Sequence, residues 1–289
     1  MTDASLRPLT AVDLDGALTL SVTAGWNQQL DDWRMMLTIA PRGAFAAMDG
    51  ERIVGTSIGI DYGRFGWIAM MLVDPAYRGR GLGRQLLEAA VGAIPPDRPV
   101  RLDATPMGRP LYRSFGFEDE EPLSRLVSDA ANRRATAEKR DGVRALTASD
   151  LPVVAAHDRN VFGADRAPLL RWALAGQPSY AWIADGPDGP QYCLGRRGRL
   201  FDQLGPVVAS GDETARALVG AGLRAAGDRS VVVDAFDGHT EFTAWLATQG
   251  FVVQRPLYRM CRPSEANGST LSRAPAVPGE VAIFGPDFG

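Results

Sequence analysis

The chain carries an internal repeat with a period of about half its length, and no other feature constrains its fold as strongly. Three pairs of segments match in the same order: Leu6–Leu14 with Val143–Leu151, Leu102–Ala104 with Val233–Ala235, and Ser114–Phe117 with Thr248–Phe251. Chance matches would not be expected to occur in the same order in both halves of the chain, so these matches indicate a duplication. We therefore expect the 289 residues to form two related domains, called here the first and the second copy.

A polar and highly charged stretch separates the two copies. Residues 131–142 read ANRRATAEKRDG, a composition typical of an exposed connection. We expect a first domain at residues 1–130, a linker at 131–142 and a second domain at 143–289. The residues after Pro263 are predicted to form a loose tail, in which Val281–Phe284 could add an edge strand.

Each copy mixes strand and helix patterns in an order that excludes an all-parallel sheet. In the first copy a hairpin turns at Asp49-Gly50, and the apolar strand Trp67–Val73 leads through a glycine-rich loop into an amphipathic helix. That helix is stopped by Pro95-Pro96. The order predicts an α/β fold of the mixed α+β kind, with a mostly antiparallel sheet flanked by helices in each domain.

Composition excludes several classes of protein. A net charge of −3 gives no general basic surface, which argues against nucleic acid as a partner. The longest apolar stretch, Trp67–Val73, is too short to span a bilayer, so we expect a cytoplasmic protein without membrane association. The chain has two cysteines, Cys193 and Cys261, widely separated in sequence and without nearby histidines, which argues against a disulfide framework or a cysteine-based zinc site, and we expect no metal.

The loop from Val73 to Arg84 joins a buried strand to a helix N-terminus, where unpaired N–H groups and the helix dipole favour an anion. Its three glycines let the backbone approach a bulky ligand closely. It is not a Walker loop, because no Gly-Lys-Ser/Thr follows, and its G-x-G-x-G spacing differs from the dinucleotide pattern. The loop is therefore predicted to bind an anion in a way that neither pattern describes, and a plain strand-to-helix turn is the alternative.

Arg78-x-x-Gly81-x-Gly83, after a strand that ends in Val-Asp-Pro, resembles the pyrophosphate loop of the GCN5-related N-acetyltransferase (GNAT) family. The segment Leu111–Phe117 follows at the expected distance and is similar to the family's terminal segment with its tyrosine. The wider pattern, including Phe162–Arg166, is similar to a bacterial subgroup in which a second acetyltransferase-like domain follows the first. The resemblance implies tandem GNAT-like domains with acetyl-CoA as cosubstrate.

The resemblance also implies roles for individual residues. Main-chain N–H groups of the loop would hold the CoA pyrophosphate, and the preceding strand would pair with pantetheine like an added strand. The residues concerned are Met71, Leu72, Val73, Arg78, Gly79, Arg80, Gly81, Leu82, Gly83 and Arg84. Tyr112 matches the general acid that protonates the leaving thiolate, and the alternative is a core tyrosine that supports the turn at Gly116.

The general base and the acceptor pocket are indicated by single residues. Asp103 is a candidate base, yet Asp234 has the same repeat position in a copy without the anion loop, which favours a structural role. For the acceptor pocket, a carboxylate could pair with an ammonium group while tryptophans supply apolar walls. The candidates are Trp26, Asn27, Asp31 and Trp33, and packing on a helix surface is the alternative.

The second copy lacks both features. In place of the loop it reads Leu204–Glu213, where Asp212 and Glu213 would repel a pyrophosphate. Leu246 stands where the first copy has Tyr112. We therefore expect the second copy to be inactive as a transferase and to shape the acceptor cleft.

The principal hypothesis is an N-acetyltransferase that passes the acetyl group of acetyl-CoA to a primary amine by direct attack in a ternary complex. A small-molecule amine is the expected acceptor, and the protein is expected to be a monomer or a homodimer. Two alternatives remain: a non-catalytic acyl-CoA-binding sensor, and an acetyltransferase that acts on proteins or peptides.

Overall fold

The computed structural model describes residues 4–133, 142–264, 266 and 279–289. These divide into two compact units. The first comprises Met1–Leu102, Gly108–Glu118 and Met260–Leu271, and the second comprises Asp103–Met107, Asp119–Arg259 and Ser272–Gly289. The predicted linker at 131–142 and the predicted tail lie largely outside the described residues, and the predicted domain boundaries stay predictions.

Helices flank a five-stranded sheet in the first unit, with the order β1, β2, β3, β4, β5. Neighbours pair antiparallel except β4 and β5, which are parallel. The elements are β1 (Ser5–Pro8), α1 (Leu14–Thr23), α2 (Leu30–Ile39), β2 (Ala44–Asp49), β3 (Arg52–Asp61), β4 (Gly66–Val73), α3 (Leu82–Gly92), β5 (Val100–Ala104) and α4 (Arg109–Arg113).

Helix α3 packs closely on the sheet. Its apolar face buries Leu82, Leu86, Leu87 and Ala90, as the i, i+4 spacing predicts. A Cβ at Gly59 of β3 would lie 2.1 Å from the carbonyl oxygen of Ala90, so only glycine permits this approach. The helix N-terminus is thereby held beside the end of β4.

A β-bulge interrupts the pairing of β3 with β4. Thr56 pairs with Leu72 and Ile58 pairs with Ala69, so Met70 and Met71 together face one residue of β3. Met70 has a φ of 50°, which is uncommon for a residue with a side chain. The Thr56 hydroxyl donates to the Met70 carbonyl at 2.8 Å and braces the bulge.

The second unit repeats this plan with a larger sheet, ordered β12, β6, β11, β13, β10, β9, β8, β7. Its core is a cluster between the sheet and α7, where Leu218 and Val219 are fully buried. The elements are β6 (Glu118–Ser128), β7 (Val143–Ala145), α5 (Leu151–Phe162), α6 (Ala167–Gly176), β8 (Trp182–Ala184), β9 (Gln191–Arg196), β10 (Asp202–Val208), α7 (Asp212–Ala226), β11 (Val231–Phe236), α8 (Thr240–Thr248), β12 (Val252–Arg262) and β13 (Glu280–Ala282).

Two strands of the second unit have unexpected neighbours. β6, which closes the first copy in sequence, pairs antiparallel with β11 over six residues from Leu123 to Ser128. β13 lies between β10 and β11, so the predicted edge position of Val281–Phe284 is wrong. The predicted fold class, a mixed and mostly antiparallel sheet flanked by helices, is confirmed. Among the described helices, none is both long and apolar enough to cross a membrane.

Candidate functional site

The glycine-rich loop of the first copy runs from the end of β4 to the start of α3. Gly79 and Gly81 have φ values of 75° and 83°, a left-handed conformation that glycine adopts without strain. A Cβ at either glycine would meet nothing within 4 Å, so backbone conformation and not crowding requires glycine there. The loop is exposed, and the first turn of α3 directs N–H groups without intrahelical acceptors toward it.

Contacts in its first half hold the loop in place. Asp74 accepts a hydrogen bond from the Ala76 N–H at 2.9 Å and pairs with Arg52. The Tyr77 hydroxyl donates to Asp49 at the β2–β3 turn, and this bond raises the pKa of Tyr77. These contacts fasten the first half of the loop to the neighbouring hairpin.

Three arginines surround the loop. Arg78 Nε donates to the Val73 carbonyl at 3.1 Å, and Arg80 donates to the Ala76 carbonyl at 3.0 Å. The Arg84 guanidinium carbon lies 4.8 Å from the centre of the Phe115 ring. All three side chains are largely exposed, so their positive charge faces solvent around the helix N-terminus.

Three elements that the sequence implicates in cofactor binding converge at Gly83. A methyl group at its α-carbon would lie 3.5 Å from Leu111 Cδ2, 3.8 Å from Met71 Cε and 4.0 Å from Val73 Cγ2. Gly83 belongs to α3, Met71 and Val73 to β4, and Leu111 to α4 next to Tyr112. The structure therefore brings together the strand, the helix N-terminus and the tyrosine segment.

Tyr112 is buried on α4, 8% exposed. Its ring packs edge-on against Phe117, with the ring centres 6.0 Å apart, and its carbonyl accepts the N–H groups of Phe115 and Phe117 around the Gly116 turn. Burial raises the pKa of Tyr112 well above that of a free tyrosine. The phenol therefore keeps its proton to a higher pH than a free tyrosine, and its backbone supports the turn.

Asp103 forms a buried ion pair with two parallel hydrogen bonds. Arg259 Nε and Nη2 donate to its two carboxylate oxygens at 2.9 and 3.0 Å. Burial raises the pKa of Asp103, and Arg259 opposes this by stabilising the charged form. Asp103 is therefore a member of a strong structural pair, and both of its oxygens are engaged.

Asp234, the repeat equivalent of Asp103, has the same kind of partner. Arg125 Nε and Nη2 donate to its carboxylate oxygens at 2.7 and 2.8 Å. Each aspartate is bound by an arginine from the last strand of the other copy, since Arg125 lies on β6 and Arg259 on β12. Neither arginine was predicted from the sequence, although both stand eight residues after a matched phenylalanine of the repeat, Phe117 or Phe251.

The predicted acceptor residues do not form one surface. Trp33 is buried in the core and does not line an open pocket, because its ring is fully buried and its Nε1–H donates to Ser21 Oγ at 3.0 Å. Asp31 is exposed and pairs with Arg34 at 2.7 Å. Asn27 is buried and Trp26 is half-buried in the turn between α1 and α2.

The second copy replaces the loop by a short connection. Residues 209–211 join β10 to α7, where residues 74–81 join β4 to α3 in the first copy. Asp212 at the start of α7 accepts the Phe242 N–H at 2.9 Å and lies 2.9 Å from His239 Nδ1. Leu246, at the position of Tyr112, is fully buried. Within the described residues, no group of three or more histidine, cysteine or carboxylate side chains is placed to hold a metal ion.

Comparison with known proteins gives the same picture for both copies. Models of the acetyltransferase (GNAT) domain match residues 41–119 and 154–271. The uncharacterized N-acetyltransferase YitH of Bacillus subtilis (strain 168) is 25% identical over 241 residues, which is 82% of this chain and 84% of that protein.

Two solved structures share the fold over 90% or more of the chain. A Pyrococcus horikoshii protein classed as an acetyltransferase is 21% identical, with a TM-score of 0.78 and coverage of 100% of this chain and 97% of the other. A tandem GNAT protein from the clavulanic acid biosynthesis pathway is 16% identical, with a TM-score of 0.61 and coverage of 90% and 98%. The two domain matches together span more than half of the chain, which therefore belongs to the GNAT acetyltransferase family and is an acyltransferase with tandem GNAT domains.

Proposed function

We propose that the first copy transfers an acetyl group from acetyl-CoA to a primary amine of a small molecule. The convergence of β4, the N-terminus of α3 and the Tyr112 segment at Gly83 carries this proposal. The glycine-rich loop, the end of β4 and the buried Tyr112 segment lie close together in a single unit, which supports the proposal.

The exposed residues of the loop fit the pyrophosphate of CoA. The N–H groups at the start of α3 and the positive helix end favour an anion, and Arg78, Arg80 and Arg84 add positive charge around it. Open space at Gly79 and Gly81 leaves room for a ligand against the backbone. These groups would hold the pyrophosphate without any general basic character of the protein.

The end of β4 fits the pantetheine arm. β4 pairs with β5 only at the start of both strands, where Gly66 is opposite Val100 and Trp67 is opposite Arg101. Met71, Leu72 and Val73 follow beyond that paired part, so an extended arm can add to β4 as a further strand would. The bulge at Met70 lies at the inner end of this edge, where the thioester would arrive.

In the reaction, the neutral amine attacks the thioester carbonyl, a C–N bond forms and the C–S bond breaks. A main-chain N–H at the bulge stabilises the negative charge that develops on the carbonyl oxygen, because the extra residue of a bulge stands outside the ladder. Tyr112 gives its proton to the leaving thiolate, and the proton released by the amine passes to water and restores the phenol. Products are the acetamide and CoA.

The ammonium form of the amine must lose a proton before attack. Asp103 was the sequence candidate for this step, but both of its oxygens accept hydrogen bonds from Arg259. We therefore assign Asp103 to the structure of the sheet and the deprotonation to water. Trp26 and Asn27, in the turn between α1 and α2, remain the proposed acceptor contacts.

The direct experiment mixes the purified full-length chain with acetyl-CoA and a panel of primary amines while free thiol is followed. We expect thiol release that depends on a small amine and is accompanied by the acetylated product. CoA binding without thiol release across the panel would support the sensor instead. Turnover only with lysine-containing peptides would support a protein acetyltransferase.

A further inference from the structure

Strand β13 is inserted between β10 and β11 of the second unit. It pairs antiparallel with β10 at Val207–Ala282 and with β11 at Ala235–Ala282. Two hydrogen bonds flank these pairs: the Ala209 N–H donates to the Gly279 carbonyl at 2.7 Å, and the Ile283 N–H donates to the Asp234 carbonyl at 2.9 Å. The segment is thus bound through its main chain on both sides.

The internal repeat shows which place β13 occupies. β10 and β11 pair parallel at Asp202–Val231 and Gln203–Val232, at the start of both strands, as β4 and β5 do in the first copy. β10 also keeps a register shift between Leu204 and Val207, where β4 has its bulge. Beyond that point the two strands diverge, and β13 fills the gap.

The same gap in the first copy is the proposed path of pantetheine. Counted from the register shift, which Val207 follows in β10 and Leu72 follows in β4, Val207 and Val208 correspond to Leu72 and Val73. Val207 and Val208 pair with Ala282 and Glu280 of β13. In the second copy this strand edge therefore pairs with residues of the chain itself. In the first copy the equivalent edge is proposed to pair with the pantetheine arm of CoA.

We propose that the second copy is a binding site for an extended peptide and that residues 279–289 of this chain are the peptide. The site was derived from the cofactor cleft by duplication and now takes a polypeptide of the same extended form. It binds no CoA.

Close backbone approach is the first feature of the site. A Cβ at Gly205 of β10 would lie 2.0 Å from the Ile283 carbonyl oxygen, so a side chain there would displace the segment. The next residue, Pro206, has no N–H and so presents no donor to a thioester oxygen. Both residues suit a packed peptide better than a reacting acyl group.

A buried arginine donates hydrogen bonds to polar groups of the segment. Arg166 is 1% exposed and binds Asp158 through Nε and Nη2 at 3.0 and 2.9 Å. Its remaining donors reach the segment at both ends: Nη2 to Glu280 at 3.0 Å and Nη1 to the Gly289 carbonyl at 2.8 Å. Glu280 also lies 3.5 Å from Arg259 Nη1, so this carboxylate of the segment is held between two buried arginines.

Aromatic contacts supply part of the apolar surface of the site. Trp172 on α6 lies against both phenylalanines of the segment, with ring centres 6.1 Å from Phe284 and 5.6 Å from Phe288. The Arg196 guanidinium carbon lies 5.5 Å from the centre of the Phe288 ring. Phe284 and Phe288 are fully buried, so the segment is a complete part of the core and not a loosely laid tail.

A cleavage experiment tests the proposal in the folded full-length protein. A recognition sequence for a specific protease is placed within residues 267–278, and the purified protein is cut and passed over a size-exclusion column. We expect residues 279–289 to remain with the protein. Elution of the segment alone, with the amides of β10 and β11 still protected from hydrogen exchange, would overturn the proposal.

Synthetic peptides supply the matched controls, because they leave the protein unchanged. The cut protein is refolded from denaturant with an excess of labelled peptide 279–289, and we expect it to be captured in a one-to-one complex. A Phe288→Ala peptide should bind at least about tenfold more weakly, since a buried ring loses its packing against Trp172. Equal capture of a scrambled peptide would contradict the proposed site, whatever the outcome of the acetyltransferase assay.

Discussion

Tyr112 combines burial with a position beside the proposed cofactor edge. Replacing it with phenylalanine keeps the ring contact with Phe117 and removes only the hydroxyl. We expect kcat to fall by roughly 10²–10⁴-fold, the usual contribution of a general acid, while the Kd for CoA and the melting temperature change little. Steady-state kinetics at neutral pH with isothermal titration of CoA would measure this, and unchanged kcat would remove Tyr112 from the mechanism.

The pH profile gives a second measurement on the same residue. Burial raises the pKa of Tyr112 above its ordinary value of 10.0, so the proton needed by the thiolate is retained at higher pH. We expect kcat to rise as the amine loses its proton and then to stay level to about pH 10. A decline centred clearly below that pH, with the fold intact by circular dichroism, would contradict an acid role for a buried phenol.

Asp103 and Asp234 form a natural pair for separating structure from catalysis. Each is bound by two hydrogen bonds from a single arginine, so Asp103→Asn and Asp234→Asn should both destabilise the protein, by about 3–5 kcal/mol, because each removes the carboxylate from a buried, doubly hydrogen-bonded ion pair. Denaturant unfolding measures this loss. At a temperature where both variants are folded, we expect equal kcat values, and a selective loss for Asp103→Asn would restore it as a base.

Residues on one helix show where sequence reasoning stops. Asp31 and Trp33 were predicted to line the same pocket, but residues two apart on a helix point to nearly opposite sides. On α2 the tryptophan consequently enters the core and the carboxylate faces solvent beside Arg34. The residue types suggested an amine-binding pocket. The direction of each side chain, however, is decided by helix geometry, which the same sequence also predicts.

The loop between β4 and α3 is an element whose conformation can be tested by glycine replacement. Gly81 has a left-handed φ and open space, so Gly81→Ala introduces strain without a clash, at about 1–2 kcal/mol. The loop of the variant should relax to another conformation. Because CoA binding must then restore the original conformation, we expect the Kd for CoA to rise by roughly tenfold. Titration calorimetry measures the change.

Gly92 at the other end of α3 is the matched control. It also has nothing within 4 Å of an added Cβ, but its φ is not positive. Gly92→Ala should therefore leave CoA affinity unchanged and either preserve or slightly raise stability, because alanine favours a helix. Equal effects of the two replacements on Kd would show that loop conformation does not govern binding.

Elements were predicted more securely than their neighbours in the sheet. The apolar run of β4, the glycine loop and the amphipathic α3 carry local signals, and each is found where it was expected. No local sequence signal indicates the position of β13 in the sheet, because a short apolar strand pairs equally well at an edge or in the interior. Its interior place is decided by the gap between β10 and β11 and by Arg166, which are distant in sequence.

The duplication has consequences for the whole molecule, because the two copies share their last strands. β6 of the first copy pairs with β11, and Arg125 on β6 neutralises Asp234 of the second copy. In return, Arg259 on β12 neutralises Asp103 of the first copy. The repeat in the sequence reveals the duplication, but it cannot reveal the exchange, since either arginine could have served its own copy.

This exchange predicts that the copies fold only together. A chain of residues 1–130 retains Asp103 without Arg259 and β6 without β11, and a chain of residues 143–289 has the reverse deficits. Each buried charge left without its counter-ion costs about 3–5 kcal/mol, a large part of the stability of an ordinary domain. We expect neither chain alone to unfold cooperatively on heating.

Co-expression of the two chains should restore the fold, because it supplies both ion pairs and both strands without a covalent link. The measurement is thermal unfolding of the co-purified complex beside each separate chain, with the uncut protein as reference. The substitution Arg259→Met in the 143–289 chain removes the charge but keeps a long side chain. It should therefore weaken the complex. A 1–130 chain that unfolds cooperatively at the temperature of the full protein would instead mean that the first copy is complete in itself and that the exchanged arginines contribute little.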